Sequence, residues 1–124
     1  MAVNSYQDLK VWQSAMAVAE DCYKLTREFP KDELYGLTSQ MRRAAVSIAA
    51  NIAEGYGRES RGSFVQFLRI AQGSLKETET LLLIAERVGI VKRKQIVEHL
   101  QKTDELGRML RAFIRSLQRK SAEE

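Results

Sequence analysis

The sequence predicts an all-α protein, an antiparallel four-helix bundle that associates with copies of itself. Three observations predict it. Apolar residues recur at steps of three and four along four long segments, the period of a helix with one inward face. Only one proline and seven glycines interrupt 124 residues, too few for a β fold with many turns. Ten successive residues in the second segment, 44–53, carry no charge, more apolar surface than a helix of a solitary small bundle hides. The chain is 44% hydrophobic and 29% charged, a balance that folds into a globule, and its length suits a single domain over residues 1–124.

Helix 1 is expected over about residues 6–28. Ser5 stands as its N-cap with Asp8 in the first turn. Leu9, Trp12, Met16, Ala19 and Tyr23 share one face, and Phe29-Pro30 ends the helix because the residue before proline is driven out of the α region. Helix 2 is expected over about 37–54, with a core stripe of Leu37, Met41, Ala44, Ile48 and Ile52. Gly55-Tyr56-Gly57 reads as its stop, since glycine accepts the left-handed turn that follows a helix. Helix 3, about 61–88, follows Ser60 and turns Phe64, Phe67, Ala71, Leu75, Thr78, Leu82 and Ala85 inward. Gly73 in its middle is explained by close approach of a neighbouring helix or by simple tolerance. Helix 4, about 92–117, carries Ile96, Leu100, Thr103, Leu106, Leu110, Phe113 and Leu117, before a polar tail from Gln118 to Glu124 that is expected to fray. The links are short, which makes consecutive helices antiparallel neighbours.

The uncharged run of helix 2 places Ala45, Ala49 and Ala53 on a ridge of small side chains that admits another helix. Leu81, Leu83 and Ile84 surround helix 3 with apolar groups in the same way. Both point to an interface between subunits.

The net charge is +4 and the isoelectric point about 9.4. The excess lies in residues 91–124, where nine basic residues face five acidic ones. Arg108, Arg111, Arg115 and Arg119 follow at steps of three, four and four, so they share one face of helix 4, with Lys92, Arg93 and Lys94 at its start. Arginine forks fit phosphate oxygens, and several together release counterions from a nucleic acid; an ordinary solvated helix face has the same pattern. Arg42 and Arg43 form a smaller basic feature on helix 2.

No constellation for catalysis emerges. Gly55-Tyr56-Gly57-Arg58 lacks the preceding strand and full fingerprint of a phosphate-cradling loop. His99 is the only histidine, and Ile96 stands where a Glu-x-x-His di-metal pair needs glutamate. One cysteine, Cys22, makes neither an internal disulfide nor a zinc module. No enzyme, metal or cofactor is therefore expected. The N-terminal stretch lacks a signal-peptide core, no apolar run spans a bilayer, and a reducing cytoplasm is the expected compartment.

The run Tyr35-Gly36-Leu37-Thr38-Ser39-Gln40-Met41-Arg42-Arg43-Ala44-Ala45-Val46-Ser47-Ile48, continued by Asn51-Ile52-Ala53-Glu54-Gly55-Tyr56-Gly57-Arg58, resembles the 23S rRNA intervening-sequence proteins, also called the four-helix bundle protein family. Phe64, Phe67-Leu68, Ile70-Ala71 and Gly73-Ser74-Leu75 extend the likeness, and Asp8-Leu9-Lys10-Val11-Trp12 and Phe29-Pro30 match its first segment. Ala49-Ala50 replaces the Pro-Ser common in the family, so the second helix is expected to be straighter. The resemblance implies a bundle that assembles into a ring, typically a homopentamer, with no catalytic residues. The similar accessory variability determinant of diversity-generating retroelements forms the same kind of barrel and binds nucleic acid and a reverse transcriptase.

The expected function is that of a non-enzymatic, RNA-binding accessory oligomer using the basic surface of helix 4. Two alternatives are a structural scaffold for a protein partner such as a reverse transcriptase, and a ribonuclease. The latter rests on Arg93 and His99, whose Arg-x₅-His spacing resembles the signature of the HEPN superfamily.

Overall fold

The computed structural model describes residues 3–123. It contains four α-helices and, among the described residues, no strand: α1 is Lys10–Thr26, α2 Leu37–Gly57, α3 Arg61–Arg87 and α4 Arg93–Glu123. Each helix packs on its neighbours in the chain, and α1 also packs on α4, so the four close around one core.

Ser5 and Asp8 do cap a helical turn, but a separate one. Ser5 Oγ accepts from the Gln7 amide at 3.1 Å and the Asp8 carboxylate accepts from the Ser5 amide at 3.2 Å, closing a 3-10 turn at Tyr6–Asp8. Leu9 is extended (φ −73°, ψ 126°), and α1 begins only at Lys10. A second 3-10 turn, Lys31–Glu33, delivers the Glu33 carboxylate to the Leu37 amide at 3.0 Å, capping α2. Ser60 Oγ does the same for α3, accepting from the Ser63 amide at 3.2 Å. After α3, Gly89 takes φ +83° while the Ile90 and Val91 amides both reach back to the Ala85 carbonyl, ending the helix in the left-handed turn that glycine permits.

The stripe of α2 lies in the core as its spacing predicts: Met41, Ile48 and Ile52 are fully buried and Leu37 and Ala44 nearly so. Leu68, Leu75, Thr78 and Leu82 of α3 and Ile96, Thr103, Leu106 and Leu110 of α4 complete it. Buried Thr78 and Thr103 return their hydroxyls to carbonyls of their own helices, Ser74 and Leu100, so neither leaves a bare polar group inside.

Three expectations are corrected here. The face of α1 that enters the core is not Leu9–Trp12–Met16–Ala19–Tyr23 as a set. It is Val11, Ala15, Val18 and Cys22, all buried, while Met16 and Tyr23 are 36% and 39% exposed. The two faces lie about 100° apart round the helix, and both repeat at three and four.

Gly55 does not stop α2, which continues through Gly57. The chain turns instead at Glu59, a non-glycine residue at φ 64°. Gly55 is the close-approach glycine of the bundle: a Cβ there would stand 2.6 Å from Phe67 Cβ and 3.0 Å from a ring carbon of Phe64. Gly73, for which close approach was one reading, faces open space, so tolerance explains it.

The tail is helical beyond Leu117, with α4 running on to Glu123; Glu124 lies outside the described residues.

Candidate nucleic-acid and subunit interfaces

Helix α4 puts its arginines where its period dictates. With Ile96, Leu106, Leu110 and Ile114 held in the core, Arg108, Arg111, Arg115 and Arg119 project outward and are all exposed. No acidic residue occurs from Leu106 to Ala122, a stretch with five basic ones. Arg108 pairs with Asp104 at 2.9 Å, both well exposed, and such a pair is easily given up. Arg111, Arg115 and Arg119 have no ion-pair partner among the described residues.

At the start of the helix, Lys92, Arg93 and Lys94 are exposed. The Lys92 amide donates to Gln95 Oε1 at 2.8 Å. Arg93 holds Glu86 with both a terminal nitrogen (2.9 Å) and Nε (3.1 Å), so part of its charge is already answered.

The two arginines of α2 differ from each other. Arg43 is exposed and unpaired among the described residues. Arg42 is half-buried: its Nε donates to Thr26 Oγ1 at 2.8 Å and its guanidinium lies 4.7 Å from the centre of the Tyr23 ring, a cation–π contact.

The proposed small-residue ridge is shifted by the structure. Ala45 is fully buried inside its own subunit, and Ala49 and Leu81 are only 5% and 6% exposed, so none of the three offers much surface to a neighbour. Ala53 does reach the surface, as do Val46 (43% exposed) and Ala50, and the nearly buried Ala49 lies among them. These four form one stripe of α2 facing Trp12, Met16, Ala19 and Tyr23 of α1 across an open groove of about 690 Å³. Glu20, Lys24 and Arg27 also line it. The second apolar face of α1 and the uncharged run of α2 are thus two walls of one groove. The other side of that run is polar: Asn51 Nδ2 donates to the Ser47 carbonyl (2.8 Å), and Ser47 and Ser74 share a hydrogen bond of 2.9 Å across the α2–α3 seam. Leu83 and Ile84 of α3 remain outside, 37% and 41% exposed.

His99 and Cys22 line a narrow crevice between α1 and α4. His99 Nδ1 is buried without a hydrogen-bond partner. Six residues from Arg93 on the same helix, it projects about 120° away from it. Burial, with a smaller contribution from the Asp21 carboxylate, pushes the Cys22 thiol from 9.0 up to about 12. The folded state therefore holds this proton more tightly than the unfolded chain. Its stabilisation is complete below pH 9 and is lost as pH rises toward 12. Cys22 of the folded protein is expected to resist a thiol reagent at pH 8 and to react fully in denaturant; stoichiometric labelling of the native protein within the mixing time would contradict its burial. Beside it Lys102 donates to the Asp21 carboxylate at 2.8 Å, and this bond raises the lysine above its ordinary value. Among the described residues no group of three or more His, Cys, Asp and Glu side chains gathers as metal ligands do, and no helix is long and apolar enough to cross a membrane.

The class defined by this fold and these surfaces is a small helical-bundle protein with a cationic outer helix and a largely apolar groove between α1 and α2. The family model described as 23S rRNA-intervening sequence protein matches residues 7–112, and the chain belongs to that family. It is similar to the crystal structure of a protein of unknown function from the S23 ribosomal protein family of Bacteroides thetaiotaomicron, at 26% identity and a TM-score of 0.75, over 84% of this chain and 97% of that one. No curated protein matches it.

Proposed function

We propose that this protein is a non-enzymatic, RNA-binding accessory protein of the cytoplasm, built as a ring of antiparallel up-and-down four-helix bundles. The observation that carries the binding reading is the outer face of α4 from Leu106 to Ala122, which has no acidic residue and whose Arg111, Arg115 and Arg119 are exposed and uncommitted. Guanidinium groups placed this way hold phosphates without reading bases. The family's name ties its members to rRNA, which makes RNA the polyanion to test first.

The antiparallel arrangement is supported by the contacts between helices. Gly55 meets Phe67 while Ser47 meets Ser74, and Arg93 meets Glu86 while Phe113 meets Phe64. Assembly is supported by the groove between α1 and α2, because a monomer rarely leaves so continuous an apolar surface in water.

Reversing charge at Arg108, Arg111 and Arg115 tests the contacts. These side chains are exposed, so the fold should be unaffected. Retention of single-stranded RNA at low salt should be lost. The slope of log K against log salt should fall by about 2, the value for three phosphate contacts on a single strand. Unchanged binding and slope would show that α4 is a solvated face and nothing more.

A further inference from the structure

Tyr35 is 92% exposed, the most solvent-exposed large apolar side chain of the described residues. Nothing in the subunit packs on its ring. It stands in the tip between the second 3-10 turn and α2, next to Gly36, which precedes the helix. Beside it is an open depression of about 670 Å³, within the range of small-ligand sites. Tyr23, Tyr35, Ser39, Arg42, Arg43 and Ser47 line it, and no carboxylate does.

Arg42 is held in place through Nε alone, by Thr26 Oγ1 and the Tyr23 ring, and no carboxylate neutralises it among the described residues. Thr26 is itself fixed, donating to the Cys22 carbonyl at 2.7 Å. Arg43 has no partner. Two cations without a counter-charge, hydroxyl groups, and a bare aromatic ring together make the chemistry of a single-stranded nucleic-acid site. The ring stacks on an unpaired base, the guanidinium groups take the adjoining phosphate, and the Ser39 hydroxyl bonds a phosphate or ribose oxygen. A duplex has no splayed base to offer the ring. A short acidic peptide would satisfy the arginines but leave the tyrosine face unused.

We infer that the Tyr35–Arg42–Arg43 depression is a base-stacking site for single-stranded RNA, where one unpaired nucleotide is gripped while α4 holds the surrounding backbone. This rests on the RNA-binding reading and adds to it a preference for unpaired segments, which phosphate contacts on α4 alone do not confer.

The test uses the full chain, a fluorescein-labelled ten-nucleotide oligouridylate, and an RNA duplex of equal phosphate number, compared by anisotropy at several salt concentrations. Tyr35→Ala should weaken oligouridylate binding about tenfold, leave the duplex unaffected, and leave the sedimentation mass unchanged. Tyr35→Phe should bind like the parent, since it keeps the stacking face. Arg43→Gln should lower the salt slope for oligouridylate by about 1. The inference is overturned if the parent binds and Tyr35→Ala binds equally well. It is overturned too if Tyr35→Ala lowers the assembly mass, because the tip is then a subunit contact. A parent that binds neither RNA sinks the RNA-binding reading and this site with it. If the Arg108/Arg111/Arg115 charge reversal leaves binding intact while Tyr35→Ala loses it, the site stands and the assignment of contacts to α4 fails.

Discussion

Gly55→Ala should lower the stability of this protein by roughly 2 kcal/mol, while Gly73→Ala, the same change in a helix interior, should raise it by about 0.5–1 kcal/mol. In an isolated helix both substitutions are favourable, because alanine loses less backbone entropy than glycine. The sign at Gly55 is decided by what meets the new methyl group. Phe67 Cβ would lie 2.6 Å away and the Phe64 carbonyl oxygen 3.3 Å away. A carbonyl oxygen is part of the backbone of α3 and a Cβ is bonded directly to it, so neither can rotate aside, and α2 and α3 must separate. The separation spreads, since Phe64 stacks edge-on with both Tyr56 (6.0 Å) and Phe113 (5.4 Å), tying α2, α3 and α4 together. At Gly73 no atom lies within 4 Å of the added carbon, and only the entropy term remains. Thermal unfolding at fixed protein concentration reads the contrast, with the Gly55 variant on the order of 8 °C below the parent and the Gly73 variant a few degrees above it. Equal melting temperatures for parent and Gly55→Ala would mean that the two helices do not approach as closely as described.

A second large effect is expected in the groove. Met16 and Ala50 stand on opposite walls of it and are exposed in the single subunit. A charge at either position is harmless if water fills the groove, because surface substitutions change stability by only about 0.5 kcal/mol. If another subunit fills it, each introduced carboxylate is buried without a partner, at a cost of several kcal/mol. The double change Met16→Glu and Ala50→Glu should therefore weaken assembly at least on the order of 100-fold and leave the helical circular dichroism intact. Sedimentation at micromolar concentration should show the parent as an oligomer and the variant at 14.1 kDa, the mass of one chain. A parent that itself sediments at that mass removes the ring.

Much of the bundle is legible in residue spacing. The predicted stripe of α2 is the buried one, and in α4 Ile96, Thr103, Leu106 and Leu110 are buried as their spacing predicts. In α1 period and burial part. Val11, Ala15, Val18 and Cys22 are small, whereas Trp12, Met16 and Tyr23 are large, and size draws attention to the wrong stripe. Periodicity reports that a face is apolar and is silent on which partner covers it. The same limit explains Ala45, whose spacing with Ala49 and Ala53 is regular but whose direction is inward. Of the basic residues, the α4 row could be placed from spacing. The commitment of Arg42 to Thr26, sixteen residues away, and the near-complete exposure of Tyr35 could not be, because each depends on how α1 and α2 meet.

The sequence by itself determined four helices, the core stripes of α2, α3 and α4, the cationic face of the last helix and a surplus of apolar surface on the second. Those are properties of single helices, written locally in a period near 3.6. Only the tertiary structure decided that Gly55 rather than Gly73 is where helices touch, that the surplus surface of α2 joins a second face of α1 in one groove, and that Tyr35 and two arginines share a depression. Each of these is a relation between segments distant in the chain, and distance in space is set by packing, which no local period encodes.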